Sequence, residues 1–384
     1  MISSDTSLVP SAAYIHIPFC LSKCHYCDFS SFVGMEPLFE DYVSALSAEI
    51  ARSHAAASPP LGSVYFGGGT PTILSAGQLE RVLEAVRGTL GISTDAEVTV
   101  EANPGTVDAP KLVQLNSAGP NRISIGIQSL DDKLLARIGR IHTASDAVEV
   151  CKAARAAGFE NLGIDLMFAL PGQTLDHWAQ TLARAIDLGA EHISLYELSV
   201  EEGTGFARQC ASGSLELPDE NTQVDMYELA MRTLIQSGYE HYEVSNFALP
   251  GRRSRHNQVY WHNEPYYGFG AGATSYLRGV RARRLADPRH YVDAISRGSD
   301  AIESWERLLG RDLAAETMIL GLRMLEGVDI SRVEAQTGVD VGQEFAAQIR
   351  DLASRGLVEA RGGRLKVTHK GLLLLNDVSA ELLG

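Results

Sequence analysis

The stretch Tyr14-Ile-His-Ile-Pro-Phe-Cys20-Leu-Ser-Lys-Cys24-His-Tyr-Cys27 joins a short extended run to three cysteines packed into eight residues. Tyr14–Pro18 reads as a strand, and the C-x3-C-x2-C segment as a tight loop at its end. Three thiolates on one loop can ligate three irons of a [4Fe–4S] cubane, and the fourth iron then has no protein ligand. Such an iron is free to coordinate a small molecule through an amine and a carboxylate. A structural zinc site, completed by His16 or His25, is the simpler alternative. Zinc sites more often use two separated C-x2-C pairs, and the sequence has no second pair. The other two cysteines, Cys151 and Cys210, are isolated and read as small hydrophobes. Five cysteines grouped this way do not make a disulfide framework, so a reducing cytoplasm is expected.

Outward from this loop, short extended runs alternate with longer amphipathic ones. Candidate strands are Tyr14–Pro18, Ser63–Phe66, Glu97–Glu101, Arg122–Ile127, Leu162–Phe168 and His192–Leu198. Candidate helices include Leu38–Ala51, Ser75–Leu90, Ala144–Ala157 and Thr174–Leu188, with Gly91, Gly119, Gly158 and Gly189 as stop signals. Strands separated by helices of this length imply βαβ units and a parallel sheet. The fold expected is therefore α/β, a partial, open-sided (β/α)6 barrel. In barrels the chemistry sits at the C-terminal ends of the strands. Cys20, Gly67–Thr70, Glu101, Asn103 and Gln128 all fall there.

After Gly238 the rhythm changes. Residues 1–250 form the expected barrel, and 251–300 read as an irregular linker. Residues 301–384 read as a small helical domain of winged-helix type, with helices at Leu308–Leu325, Ser331–Thr337, Glu344–Arg355 and Lys370–Leu383. A hairpin within it turns at Gly362-Gly363. The net charge of −15 argues against nucleic acid as a partner, since phosphate contacts need a basic face. A local basic stretch, from Arg252, Arg253 and Arg255 to Arg278, Arg281, Arg283 and Arg284, reads either as a solvated loop or as a place for carboxylates or peripheral contact with anionic lipid. Met1–Ala13 carries no secretory pattern, and no apolar run reaches the ~18 residues of a membrane span.

The sequence resembles the radical SAM family, in the branch of oxygen-independent coproporphyrinogen III oxidases and heme chaperones. The resemblance rests on Tyr14–Cys27, Tyr65-Phe-Gly-Gly-Gly-Thr-Pro-Thr72, Glu101-Ala-Asn-Pro104, Gly126-Ile-Gln-Ser129, Asp165-Leu-Met167 and Leu170-Pro-Gly-Gln-Thr174, in order along the first ~200 residues. It implies a [4Fe–4S] cluster on Cys20, Cys24 and Cys27, and S-adenosylmethionine on its open iron. It further implies that Gly68, Gly69 and Thr70 meet the methionine amine and that Glu101 meets the amino or ribose end. Gln128, Arg140 and Asp165 would complete the cradle, Arg140 on the carboxylate, with Tyr14 and Tyr26 packed beside cluster and ligand.

Within this branch the oxidases carry a fourth cysteine two residues after the third, where this sequence has Asp28-Phe29. They also have a longer segment before the cluster than the 13 residues preceding Tyr14 here. His256-Asn-Gln-Val-Tyr260-Trp261 fits the H-N-x-x-Y-W pattern of the chaperones. The resemblance thus implies a heme chaperone serving apo-hemoproteins of the respiratory chain, with His256 a candidate iron ligand and the nearby arginines holding heme propionates. The alternatives are an oxidase that decarboxylates coproporphyrinogen III and an RNA-modifying enzyme.

Overall fold

The computed structural model describes residues 9–53 and 59–384. Part of the Met1–Ala13 stretch, residues 1–8, therefore lies outside the described residues. Strands β1 (Ala12–Ile17), β2 (Leu61–Gly68), β3 (Ile92–Ala102), β4 (Arg122–Gln128), β5 (Asn161–Phe168) and β6 (His192–Glu197) lie side by side in chain order. Every neighbouring pair is parallel. The helices α1 (Phe39–Arg52), α2 (Ala76–Leu90), α3 (Ala109–Ser117), α4 (Asp132–Arg137), α5 (Ala144–Ala156) and α6 (Leu175–Asp187) connect them. The expected six strands are present, and the four candidate helices correspond to α1, α2, α5 and α6; β3 starts at Ile92, ahead of its expected Glu97, and α3 and α4 are additional.

Local chemistry sets these boundaries. Ser75, Thr143 and Thr174 each cap a helix and are answered by the side chain three residues on, which satisfies otherwise orphaned N–H groups. Helix α2 stops at Gly91, whose φ of 73° suits glycine. The strands alternate with period two. In β4, Arg-Ile-Ser-Ile-Gly-Ile-Gln, the residues Ile123, Ile125 and Ile127 are fully buried in the core. Arg122, Ser124, Gly126 and Gln128 face the other way and line a central cavity. The apolar core thus lies outside the barrel, between sheet and helices, and the lumen is polar. Closed barrels fill that space with aliphatic layers.

Residues 251–300 differ from the expectation of an irregular linker. After α7 (Gly205–Ala211) and α8 (Glu220–Gln236), the hairpin β7 (Glu240–Glu243) and β8 (Asn246–Ala248) pairs antiparallel with β6. Then follow α9 (Arg255–Trp261), β9 (Tyr266–Phe269), β10 (Thr274–Leu277), β11 (Val280–Arg284), α10 (Pro288–Ser296) and β12 (Ile302–Glu306). Strand β9 pairs parallel with β1, so both edges of the six-stranded unit are extended into a twelve-stranded sheet. These strands are four or five residues long, β9 contains a Gly and β11 three Arg, and so short a run hides its period in the sequence. The H-N-x-x-Y-W motif is helix α9, not loop.

Five of the seven arginines of the basic stretch are engaged in ion pairs, while Arg252 is exposed at the surface, as a solvated loop would leave it. Arg253, Arg255, Arg281, Arg283 and Arg284 are paired with Glu240, Asp95, Glu316, Glu303 and Glu49 respectively. Cys210, read as a packed hydrophobe, is exposed, whereas Cys151 is buried.

The C-terminal part follows the expected pattern. Helices α11 (Gly310–Gly321), α12 (Ile330–Thr337), α13 (Val341–Glu344) and α14 (Ala346–Ser354) precede the hairpin β14 (Val358–Arg361) and β15 (Arg364–Val367), which turns at Gly362-Gly363. A short strand β13 (Val328–Asp329) completes this three-stranded sheet. The closing helix is interrupted at Leu374, between α15 (His369–Leu373) and α16 (Leu375–Leu383). Among the described residues, no helix is long and apolar enough to cross a membrane.

One buried polar knot fastens the β9–β12 extension to the barrel. Glu49 of α1 accepts from Arg284 Nε at 2.7 Å, Tyr291 OH at 2.6 Å and the Gly270 backbone N–H at 2.9 Å. Removing one partner of a buried pair leaves an uncompensated charge. Glu49→Gln is expected to lower unfolding stability by about 3 kcal/mol, and Tyr291→Phe by about 1 kcal/mol. Urea denaturation measures both, and equal losses would contradict this account of Glu49.

Candidate functional site

At the C-terminal ends of the strands the barrel opens into a cavity of about 500 Å³. The cysteine loop closes one side of it. Cys20, Cys24 and Cys27 all line the cavity, as do Tyr26, Gly68, Gly69, Thr70, Glu101, Gln128, Arg140 and Asp165. Eleven of the residues expected from the sequence therefore meet in one space.

The loop is held against the tip of β2 by backbone. Thr70 N–H donates to the Phe19 carbonyl at 2.8 Å, and Gly69 N–H to the Ile17 carbonyl at 2.9 Å. A Cβ on Gly69 would lie 2.6 Å from the Phe19 carbonyl oxygen, and Gly68 has φ of 115°. Both positions thus require glycine. A chain of polar contacts then runs behind the sulfurs. Cys20 Sγ lies 3.7 Å from Thr70 Oγ1, which accepts from Asn103 Nδ2 at 2.7 Å. Asn103 Oδ1 accepts from Arg140, and Arg140 Nη1 reaches Cys24 Sγ at 3.6 Å. Gly126 makes room for this convergence, since a Cβ there would crowd Asn103, Gln128 and Arg140. Gln128 itself has φ of 65°, a conformation that costs a non-glycine residue free energy.

The donor set fits a cubane better than a single ion. A [4Fe–4S] cluster takes one thiolate per iron, so its ligands surround it rather than meet at a point. Burial pushes the Cys20 and Cys27 thiols above their usual range, so iron would have to displace protons on binding. His16, weighed as a zinc ligand, has both ring nitrogens engaged. Tyr14 OH donates to Nδ1 at 3.0 Å, and Nε2 donates to the Ser30 carbonyl at 3.1 Å. His25 donates from Nδ1 to the Arg137 carbonyl.

Two expected residues are elsewhere. Tyr14 packs against Tyr65 and His16 and is not among the cavity-lining residues. His256 is 1 % exposed, bonded through Nδ1 to Ser63 Oγ at 3.0 Å and through Nε2 to Tyr260 OH at 2.9 Å. It stacks on Tyr65, and burial followed by the nearby Arg122 charge lowers its pKa to about 3. In this position it cannot ligate heme iron, because neither ring nitrogen is free. The motif's contribution to the cavity is the neighbouring Asn257. Sequence reading also missed Tyr65, Arg122, Ser124, His192 and Ser194 on the cavity wall. Counting back by twos from Gln128 reaches Ser124 and Arg122.

Glu101 accepts from Tyr65 OH at 2.7 Å and from Gly68 N–H at 3.3 Å. Burial raises its pKa from 4.5 to about 7 despite these bonds. The folded state of the ligand-free protein therefore holds a proton that the unfolded state releases, and stability falls as pH rises from about 4.5 to 7. Glu101→Gln is expected to be more stable than the parent at pH 8 by about 2 kcal/mol, with the gap closing by pH 4. Parallel losses at both pH values would contradict the assignment. Gly69→Ala is expected to prevent cluster incorporation, measured as iron and sulfide content after anaerobic reconstitution.

The model of the radical SAM superfamily matches residues 14–185, and that of the HemN C-terminal domain matches 308–374. The chain is 40 % identical over 375 residues to the heme chaperone HemW of Bacillus subtilis, covering 97 % of this chain and 99 % of the relative. It is 35 % identical over 381 residues to HemW of Escherichia coli, covering 97 % of each. Among solved structures, coproporphyrinogen III oxidase (HemN) from Escherichia coli superposes with a TM-score of 0.85 at 25 % identity, over 98 % of this chain and 90 % of that one. A cysteine loop on a six-unit barrel, an appended winged-helix-like part, and full-length likeness to HemW together place the chain in the HemW family of radical SAM proteins.

Proposed function

We propose that the protein is a heme chaperone that binds a [4Fe–4S] cluster, S-adenosylmethionine and heme, and delivers heme to apo-hemoproteins such as respiratory enzymes. The observation that carries the reading is full-length likeness to proteins named heme chaperone HemW, combined with Asp28-Phe29 where the oxidases carry another cysteine.

Cys20, Cys24 and Cys27 would hold the cluster, and the open cavity beside them accommodates the methionine end of S-adenosylmethionine. Gly69 and Thr70 offer main chain to the amine, Arg140 offers a guanidinium to the carboxylate, and Glu101, Gln128 and Asp165 face the rest of the ligand. When bound, the cluster can supply one electron to the sulfonium, chemistry that belongs to the cofactor. In a chaperone this site acts mainly as a structural element or switch. Contact with the cytoplasmic membrane surface belongs to the same proposal, because respiratory acceptors lie there.

The fold similarity to the oxidase keeps one second reading in view, anaerobic decarboxylation of coproporphyrinogen III. Anaerobic reconstitution should give the iron–sulfur absorption in wild type and lose it when any of the three cysteines becomes alanine. The reconstituted protein should take up hemin and pass it to an apo-globin. Conversion of coproporphyrinogen III to protoporphyrinogen at enzymatic rates would overturn the chaperone reading. His256→Gln should leave the hemin spectrum unchanged while lowering the melting temperature; an altered Soret band would restore His256 as a ligand.

A further inference from the structure

Arg122 is the first residue of β4, and its side chain turns into the lumen at the end away from the cysteines. It is 2 % exposed, yet among the described residues no carboxylate lies within ion-pair distance of it. Buried arginines are ordinarily paired. Its one hydrogen bond among the described residues runs from Nη1 to Thr99 Oγ1 at 3.4 Å, and its buried Nε has no partner. The acids whose fields reach it are engaged elsewhere. Glu97 accepts the backbone N–H groups of Arg255 and His256, and Asp165 accepts the Ser124 hydroxyl.

His192 stands across a gap left by Gly163, where a Cβ would lie 3.1 Å from Arg122 Nη2. It is 1 % exposed. Its Nε2 meets Tyr242 OH at 2.8 Å, and that hydroxyl oxygen already accepts the Ser254 N–H. The Tyr242 proton has no other acceptor among the described residues, so it is donated to Nε2. The ring proton of neutral His192 then resides on Nδ1, which is buried without a partner. A guanidinium and a neutral N–H therefore border the floor of one cavity, and the Asn257 side chain lines the same cavity. Unsatisfied buried donors of this kind call for an acceptor.

We propose that this floor is a carboxylate subsite, with Arg122 as its charged anchor and His192 Nδ1–H and the Asn257 amide as neutral donors. A planar, singly charged oxyanion suits the guanidinium fork. The carboxylate is either a free small acid or the acidic arm of a larger ligand that enters past the cysteine loop. The subsite does not depend on heme being the cargo.

Full-length, cluster-reconstituted protein is titrated with two probes. The first is succinate at constant ionic strength, followed by calorimetry and melting temperature. The second is hemin against hemin dimethyl ester, in which both propionates are blocked. Specific stabilisation by succinate, absent with chloride and sulfate, identifies a free acid. Binding of hemin about tenfold tighter than its diester, the scale of one lost charged hydrogen bond, identifies an arm. Either effect should vanish in Arg122→Gln and weaken in Gly163→Ala, where an added methyl group crowds Arg122 Nη2 and Ser124 Oγ without removing the charge. If Arg122→Gln fails to fold, wild type and Gly163→Ala decide the matter. Absence of both effects in wild type, their persistence in Arg122→Gln or at full strength in Gly163→Ala, or equal effects from chloride or sulfate would overturn the proposal.

Discussion

The architecture depends on strands that are apolar on their outer face alone, where a packed barrel is apolar on both. Isoleucines and leucines point outward under the helices, and serine, threonine, arginine, histidine and carboxylates point inward. The outer face supplies the hydrophobic stabilisation, since fully burying an aliphatic side chain contributes roughly 2 kcal/mol. The inner face is left free of packing duty. The chain can therefore keep a cavity at its centre without opening a void in its core, where missing volume would be costly.

From that division follows the electrostatic character of the site. Buried acids such as Glu101 and Asp165 lie where water is scarce, so burial lifts both carboxyls above their ordinary range. Arg122 offsets part of this as a fixed positive centre. The sulfurs on the loop face the same space, and Arg140 lies between them and the Asn103–Thr70 pair. Ligand binding and cluster binding are thus physically adjacent. A charge change in one is felt by the other through a poorly screened interior.

Much of this was legible in the sequence because it is encoded locally. The C-x3-C-x2-C spacing, the glycines after β2 and the caps of the helices each report on a handful of neighbouring residues. The β9–β12 extension was not legible, because strands of four or five residues carry too few positions for a period to emerge. Their identity comes from pairing with β1 and from the Glu49 knot, contacts more than 200 positions apart in the chain. His256 was misplaced for a related reason. A histidine beside two aromatics reads as a ligand until tertiary contacts with Ser63 and Tyr65 occupy it.

Helix α9 has one more consequence, of an evolutionary kind. Its first turn hands two backbone N–H groups to Glu97, while its histidine reaches Ser63, so a single floor unit is divided among three distant parts of the chain. No one of these positions can drift alone without stranding a partner in a dry interior. Across the lineage, Ser63, Glu97 and His256 should be inherited as a block, and any relative that has lost one should carry matched replacements at the other two.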